Sequence, residues 1–162
     1  HRAGDWQRQR MEGDLMIRPA VPEDAPALID MGRAFFAEAG WADKAEFCPD
    51  SFGVTLGRLS QGGILLTVEK DGEPVGMAGA LFSPAYWNEK VLIGQELFWY
   101  CKPAHRKGAG AELLKQLESA ATARNVKFFG MVAEHGLRHE ALAQVYKRAG
   151  YSLAEHTFCK AL

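Results

Sequence analysis

The fold of this chain is limited first by two β-rich runs that are joined by a tight turn. Residues 64–69 and 74–82 are mostly apolar, and the connecting residues 70–73 contain Asp71-Gly72. An Asp-Gly pair between two such runs is a strong hairpin signal, because both central positions of a type I′ turn need a positive φ angle. The pattern therefore predicts an antiparallel pair of strands.

Strand and helix patterns alternate along the rest of the chain. Apolar residues recur at helical spacing in some segments, while others are short β-rich runs. Strands that first pair as a hairpin and then alternate with helices indicate a mixed α/β sheet. The predicted elements besides the hairpin are a strand at residues 15–18, helices at 22–40 and 52–59, a loop at 83–90, a strand at 93–101, a helix at 110–121, a strand at 127–133, a helix at 138–149 and one or two strands within 151–159.

The composition fits one globular domain. Of the 162 residues, 48% are hydrophobic and 24% are charged, so the chain can bury a substantial core. We predict a flexible tail at residues 1–14 and a single domain over residues 15–162.

A formal net charge of −1 gives no sequence-wide basic field, so nucleic acid is not expected as the main partner. No apolar run approaches the roughly 20 residues of a membrane-crossing helix. We expect no membrane partner, and a homodimer stays open.

The cysteines indicate a reducing setting. Cys48, Cys101 and Cys159 are odd in number and widely spaced, which argues against a disulfide framework and a Cys-rich zinc site. We therefore expect a cytoplasmic protein. His135 and His139 have a spacing that can place two imidazoles on one helical face, but the sequence offers no convincing third ligand. We predict no metal site and an ordinary strand thiol at Cys101.

Residues 96–110 carry most of the chemical information. They read as a strand, a basic turn with Gly108 and Gly110, and the start of a helix. Main-chain amides at a helix N-terminus favour anions, and glycine lets a phosphate approach the backbone closely. Arg106 and Lys107 add positive charge. The turn matches neither a P-loop nor a complete dinucleotide-binding motif, and taken alone a Gly-x-Gly turn is equally consistent with a tight connection.

With these residues the chain resembles the GNAT superfamily of acetyl-CoA-dependent N-acetyltransferases. The family's pyrophosphate loop reads Gln/Arg-x-x-Gly-x-Gly/Ala, and His105 stands at its first position. Residues 145–151 are similar to its Tyr-x-x-x-Gly-Phe/Tyr signature, and residues 17–28 to its opening strand and helix. The resemblance covers residues 16–162. It implies a GNAT-like acyl-CoA N-acyltransferase fold, which is a mostly antiparallel central sheet flanked by about four helices.

The resemblance also implies roles for particular residues. Tyr146 is the expected acid for the CoA thiolate and Glu96 the expected base for the amine, although a core tyrosine and a solvated strand-end charge are the plainer alternatives. The expected acetyl-CoA contacts are Phe98, Trp99, Tyr100, Cys101, His105, Arg106, Lys107, Gly108, Ala109, Gly110, Ala111, His139 and Tyr146. The expected acceptor contacts are Phe35, Trp41, Tyr86 and Trp87.

The predicted function is therefore direct transfer of an acetyl group from acetyl-CoA to a primary amine. Two alternatives remain at this point. One is a non-catalytic acyl-CoA sensor that keeps the loop. The other is a phosphate-binding interaction module of a nucleic-acid or protein complex, which Arg106 and Lys107 favour. The sequence does not identify the acceptor amine.

Overall fold

A computed structural model describes residues 9–10 and 14–162 of the chain. Most of the predicted flexible tail, residues 1–8 and 11–13, lies outside the described residues. The described strands are β1 (Gln9–Arg10), β2 (Leu15–Pro19), β3 (Ile64–Lys70), β4 (Glu73–Ala85), β5 (Asn88–Cys101) and β6 (Phe128–Gly130). The described α-helices are α1 (Ala25–Glu38), α2 (Pro49–Gly62), α3 (Arg106–Ala123) and α4 (His139–Arg148).

The described strands form one mixed sheet in the order β1-β2-β3-β4-β5-β6. Neighbouring strands are antiparallel from β1 to β5, and β5 and β6 are parallel. Asp71 and Gly72 have φ angles of 51° and 86°, as the predicted turn between β3 and β4 requires. The mixed α/β sheet with four helices is confirmed.

The two faces of the sheet are covered by different helices. On one face α1 and α2 bury Leu28, Leu59 and Met77. On the other face α3 buries Leu113 and Leu117 against β2, β3 and β4. Removing such a leucine from water contributes about 1.5–3 kcal/mol. These two cores hold β5 between them, and Glu96, Phe98, Tyr100 and Cys101 in its C-terminal half are buried.

A buried ion pair joins β2 to the start of α1. Asp24 is 6% exposed and receives hydrogen bonds from Arg18 Nη1 at 2.7 Å and Nη2 at 2.9 Å. The Val21 amide donates to the same carboxylate at 2.8 Å, and Arg18 Nε reaches Glu69 at 2.6 Å. The guanidinium therefore compensates a carboxylate that is otherwise costly to bury.

Three local predictions from the sequence are wrong. The predicted loop at 83–90 is mostly strand, because β4 extends to Ala85 and β5 begins at Asn88. Pro84 is tolerated there since β4 has passed its last pair with β3, Ala80 with Ile64. The predicted strand at 127–133 ends at Gly130, where the chain turns away from β5.

The third error concerns the predicted terminal strands within residues 151–159. The described residues 151–162 form neither helix nor strand. β6 has only three described residues, so its outer edge offers few backbone hydrogen bonds to a further strand. An alternating pattern of side chains does not stabilise a strand without such a partner. Among the residues that the structure describes, no helix is both long enough and apolar enough to span a membrane.

Candidate active site

A β-bulge at Leu97 determines which side chains of β5 share a face. Glu96 is opposite Ala80 and Phe98 is opposite Gly79, so Leu97 is an extra residue in the ladder. A bulge of this kind interrupts the regular alternation of side chains. Glu96 therefore shares the α3 face with Trp99, while Phe98 packs into the α1 and α2 core.

The strands β5 and β6 separate immediately before this bulge. They pair in parallel only over residues 93–95 and 128–130 of the described chain. Beyond that point the Val132 amide donates to Glu96 Oε2 at 3.0 Å. The hydroxyl of Tyr146 on α4 donates to the Val132 carbonyl at 2.8 Å. The two predicted catalytic side chains are thus brought together at the fork between the strands.

Burial raises the pKa of both groups. Glu96 is 4% exposed, and its desolvation raises its pKa to about 7, against the opposing effect of the Val132 hydrogen bond. A carboxyl with this pKa exchanges its proton near neutral pH. Desolvation also raises the pKa of Tyr146, with a contribution from the nearby Glu96 charge. Tyr146 therefore remains a phenol at neutral pH and can donate a proton.

Aromatic packing fixes the orientation of Tyr146. Its ring centroid lies 5.9 Å from that of Trp99 and 5.9 Å from that of Tyr151. Trp99 Nε1 donates to the Gly110 carbonyl at 3.1 Å. The Tyr146 ring is therefore linked through Trp99 to the first turn of α3, which is the turn predicted to bind phosphate.

The predicted phosphate loop contains a kink at Lys107 and Gly108. Lys107 has ψ 115° and Gly108 has φ 85°, so the regular turns of α3 begin after Gly108. A Cβ at Gly108 would meet no described atom within 4 Å, and its positive φ favours glycine. Ala109, Gly110 and Ala111 follow in the first regular turn, where Ala109 is buried, Gly110 is half-buried and Ala111 is exposed.

Arg106 is engaged elsewhere. Its Nη2 donates to both carboxylate oxygens of Glu38 at 2.7 and 2.8 Å, and its Nε donates to the Cys101 carbonyl at 2.9 Å. Its guanidinium also lies 5.4 Å from the centre of the Tyr100 ring, and the Tyr100 hydroxyl donates to Glu38 at 3.3 Å. This cluster ties the end of α1 to the loop, and the charge of Arg106 is already paired.

The remaining predicted cofactor contacts occupy different environments. His105 ends a 3-10 turn, and its amide donates to the Lys102 carbonyl at 2.8 Å. His139 begins α4, and its ring is stacked on that of His135 with 4.6 Å between centroids. Cys101 is buried, which raises the pKa of its thiol to about 11 and opposes a nucleophilic role. Within the described part of the chain, no three His, Cys, Asp or Glu residues form a metal-binding group.

An opening lies on the face of β5 that α1 and α2 cover, and we call it the aromatic cleft. It has a volume of about 420 Å³ and lies between α1, α2 and the bulge. The predicted acceptor contacts Phe35 and Trp41 line it, together with Leu97 and Phe98. Tyr86 and Trp87 do not, because they form the exposed tip of the β4–β5 hairpin at the opposite end of β5 from Leu97.

Some residues of this region have no signal in the sequence. Val132 contributes only main-chain groups to the fork, so its side-chain type carries no information. Glu38 is 68 positions from its partner Arg106, and nothing near either residue predicts the pair. Tyr151 is different, since it belongs to the signature around Tyr146 and contacts that ring.

Comparison of the sequence with known families gives one clear match. The model described as the acetyltransferase (GNAT) family matches residues 30–151, which is most of the chain. The matched region includes both residues at the fork and the whole of the loop. No curated protein matches the chain.

The fold is also similar to that of solved structures. A GCN5-related N-acetyltransferase from Ralstonia eutropha JMP134 is 23% identical with a TM-score of 0.71, over 91% of this chain and 98% of that chain. A predicted acetyltransferase with acetyl-CoA from Clostridium acetobutylicum is 18% identical with a TM-score of 0.71, over 91% and 96%. An aminoglycoside acetyltransferase from an uncultured soil metagenomic sample, in complex with sisomicin, is 14% identical with a TM-score of 0.68, over 93% and 99%.

Proposed function

Because the chain belongs to the acetyltransferase (GNAT) family, we propose that it moves an acetyl group from acetyl-CoA directly to a primary amine. One observation carries this proposal. Glu96 and Tyr146, a base and an acid with shifted proton affinities, meet at Val132 where β5 and β6 separate. Pairs of titratable groups that are shifted by a shared environment are typical of acid–base sites.

The loop supports the choice of acetyl-CoA as the donor. Gly108 turns the chain beside open space at the start of α3, and the amides of the half-buried Gly110 and the exposed Ala111 follow it. Amides at the start of a helix suit a diphosphate, because they lie at the positive end of the helix dipole. We assign the diphosphate to these amides and to the exposed Lys107 rather than to Arg106, since Arg106 is paired with Glu38. When bound, acetyl-CoA supplies a thioester as the acetyl source.

Acyl transfer to an amine needs three contributions from the protein. The ionised Glu96 accepts a proton from the amine, directly or through water, so that nitrogen has a free electron pair. Main-chain amides around Leu97 polarise the acetyl carbonyl, because the bulge frees this part of β5 from the regular ladder. Tyr146 gives its phenolic proton to the departing sulfur. A primary ammonium loses two protons in all: Glu96 takes the first before attack, and the second leaves the nitrogen as the carbon–sulfur bond breaks. That second proton replaces, through solvent, the proton that Tyr146 gives to sulfur.

The direct test measures both turnover and binding. Release of CoA thiol from acetyl-CoA is followed across amine classes, and CoA binding is measured by calorimetry on the same preparation. We expect CoA binding and amine-dependent thiol release. Heat on CoA addition without thiol release for any amine would identify an acyl-CoA sensor. Salt-sensitive binding to DNA or RNA without CoA binding would identify the interaction module.

A further inference from the structure

The aromatic cleft is lined largely by rings. Its opening is large enough for a small organic group, since ligand pockets begin at roughly 300 Å³. The polar side chains in its lining are few and include the exposed Glu46, Cys48 and Ser51. The rings belong to Phe35, Phe36, Trp41, Phe47, Phe52 and Phe98.

Four of these rings form a continuous row that ends at Phe98, beside the bulge. The centroids of Phe36 and Phe47 are 5.7 Å apart, those of Phe47 and Phe52 are 5.4 Å apart, and those of Phe52 and Phe98 are 5.4 Å apart. All three pairs are tilted, an arrangement in the distance range that aromatic rings prefer. Phe98 directly follows the bulge residue Leu97. An aromatic guest would extend this row toward the bulge.

The charges around the aromatic cleft suit a single ammonium group. Among the described residues that line it, Glu46 is the only carboxylate. The Arg33 guanidinium lies 5.1 Å from the centre of the Phe47 ring, and the Lys44 ammonium lies 5.1 Å from the centre of the Trp41 ring. A guest with several ammonium groups would meet these cations and would leave most of its charge without a partner.

A close glycine contact sets the shape of the cleft. A Cβ at Gly32 on α1 would lie 2.4 Å from Cε1 of Phe52, so the Phe52 ring rests directly on the main chain of α1. Any side chain at position 32 would displace this ring. The Phe52 ring therefore fills the space beside Gly32 and forms one wall of the cleft.

We infer that the acceptor is a small arylalkylamine, a molecule with one primary ammonium and one aromatic ring. The ring enters the row of phenylalanines, and the amine lies at the bulge beside Leu97. This inference rests on the proposed function, because it names the amine that the same site acetylates. It disfavours polycationic acceptors such as aminoglycosides, which need several carboxylates.

The kinetic test compares three amines with acetyl-CoA at a fixed concentration. They are 2-phenylethylamine, spermidine and kanamycin. We expect kcat/KM for 2-phenylethylamine to exceed that of the other two by about tenfold or more. Phe47→Ala removes one ring of the row and should raise KM for 2-phenylethylamine about tenfold, with kcat and CoA affinity little changed. Phe158→Ala is the matched control, since Phe158 is 95% exposed and does not line the cleft.

A second readout needs neither turnover nor a cleft variant. Cys48 lines the cleft and is exposed, and the Ser51 hydroxyl donates to its sulfur at 3.2 Å. This hydrogen bond lowers the pKa of the thiol, which favours the reactive thiolate. In a Cys159→Ser background, 2-phenylethylamine should slow maleimide modification of Cys48, and spermidine should not.

The outcomes separate this inference from the proposed function. Turnover of spermidine or kanamycin with no turnover of 2-phenylethylamine would overturn the acceptor class and leave acetyl transfer intact. Equal modification of Cys48 with and without 2-phenylethylamine would also overturn it. Absence of both CoA binding and thiol release with every amine would instead remove the proposed function.

Discussion

Glu96 and Tyr146 hydrogen-bond to the same residue, Val132, through opposite ends of its main chain. The Val132 amide donates to Glu96 Oε2 at 3.0 Å, and its carbonyl accepts the Tyr146 proton at 2.8 Å. The two side chains come from β5 and α4. A single residue, Val132, which lies two positions after the end of β6, therefore sets the distance between them. A shift of this segment would move the base and the acid together.

The pH dependence of turnover should report Glu96. Its pKa of about 7 means that the ionised base forms as pH rises through neutrality, so kcat/KM should increase between about pH 6 and 8. Glu96→Gln should lower kcat/KM by about 100-fold or more at pH 8. The acceptor amine also loses a proton as pH rises, so the informative quantity is the difference between the two profiles. An unchanged profile in Glu96→Gln would exclude Glu96 as the base.

The same group should make stability depend on pH. Glu96 has a higher pKa in the folded chain, about 7, than its ordinary value of 4.5, so the folded state holds this proton more tightly. Stability from this group is complete below about pH 4.5 and is lost as pH rises through 7, by on the order of 3 kcal/mol. Urea unfolding of the wild type and of Glu96→Gln from pH 5 to 8 tests this. The slope attributable to Glu96 should be absent in the variant.

Tyr146→Phe should impair catalysis more than binding. Loss of the phenolic proton should reduce kcat by about 10²–10⁴, while the Kd for CoA changes little because the ring still packs on Trp99. Tyr151→Phe is the matched control, since it removes one phenolic hydroxyl from the adjacent ring. Stopped-flow thiol release and calorimetry measure the two quantities. Equal losses in both variants would point to packing rather than proton transfer.

Gly108→Ala should weaken CoA binding at the loop. A side chain at φ 85° is strained by about 1–2 kcal/mol and also intrudes on the open space beside the first turn of α3. We expect the Kd for CoA to rise about tenfold or more, with a modest loss of stability. Gly57→Ala on α2 is the matched control, because Gly57 is exposed, helical and free of close neighbours. That change should stabilise the fold by up to about 1 kcal/mol.

Features with local causes were predictable from the sequence, and features with tertiary causes were not. The β3–β4 hairpin follows from Asp71-Gly72, and the kink in the first turn of α3 follows from Gly108, because each needs a positive φ angle. The bulge at Leu97 has no local signal, yet it decides that Glu96 and Trp99 share a face.

Side-chain partnerships and strand ends show the same division. Arg106 was predicted at the phosphate site from its place in the loop, but its contact with Glu38 depends on how α1 ends in space. Tyr86 and Trp87 were grouped with the acceptor contacts, whereas continued pairing of β4 with β5 carries them to the far end of the hairpin. Position in the sequence therefore predicted the backbone of the loop better than it predicted which side chains line a pocket or pair with one another.

Arg18→Met should destabilise the fold strongly without touching the active site. The guanidinium supplies two hydrogen bonds to Asp24, whose carboxylate is 6% exposed, and its removal leaves this buried charge with no opposite charge and only the Val21 hydrogen bond. Breaking such a pair costs about 3–5 kcal/mol, so the unfolding midpoint in urea should fall steeply. Arg58→Met, at an exposed position on α2, should change stability by less than about 0.5 kcal/mol.

Adding Asp24→Asn to Arg18→Met should recover part of the loss, because the asparagine side chain is neutral and its oxygen still accepts the hydrogen bond from the Val21 amide. A double variant as unstable as Arg18→Met alone would show that lost packing of the arginine stem, and not the unpaired carboxylate, is responsible.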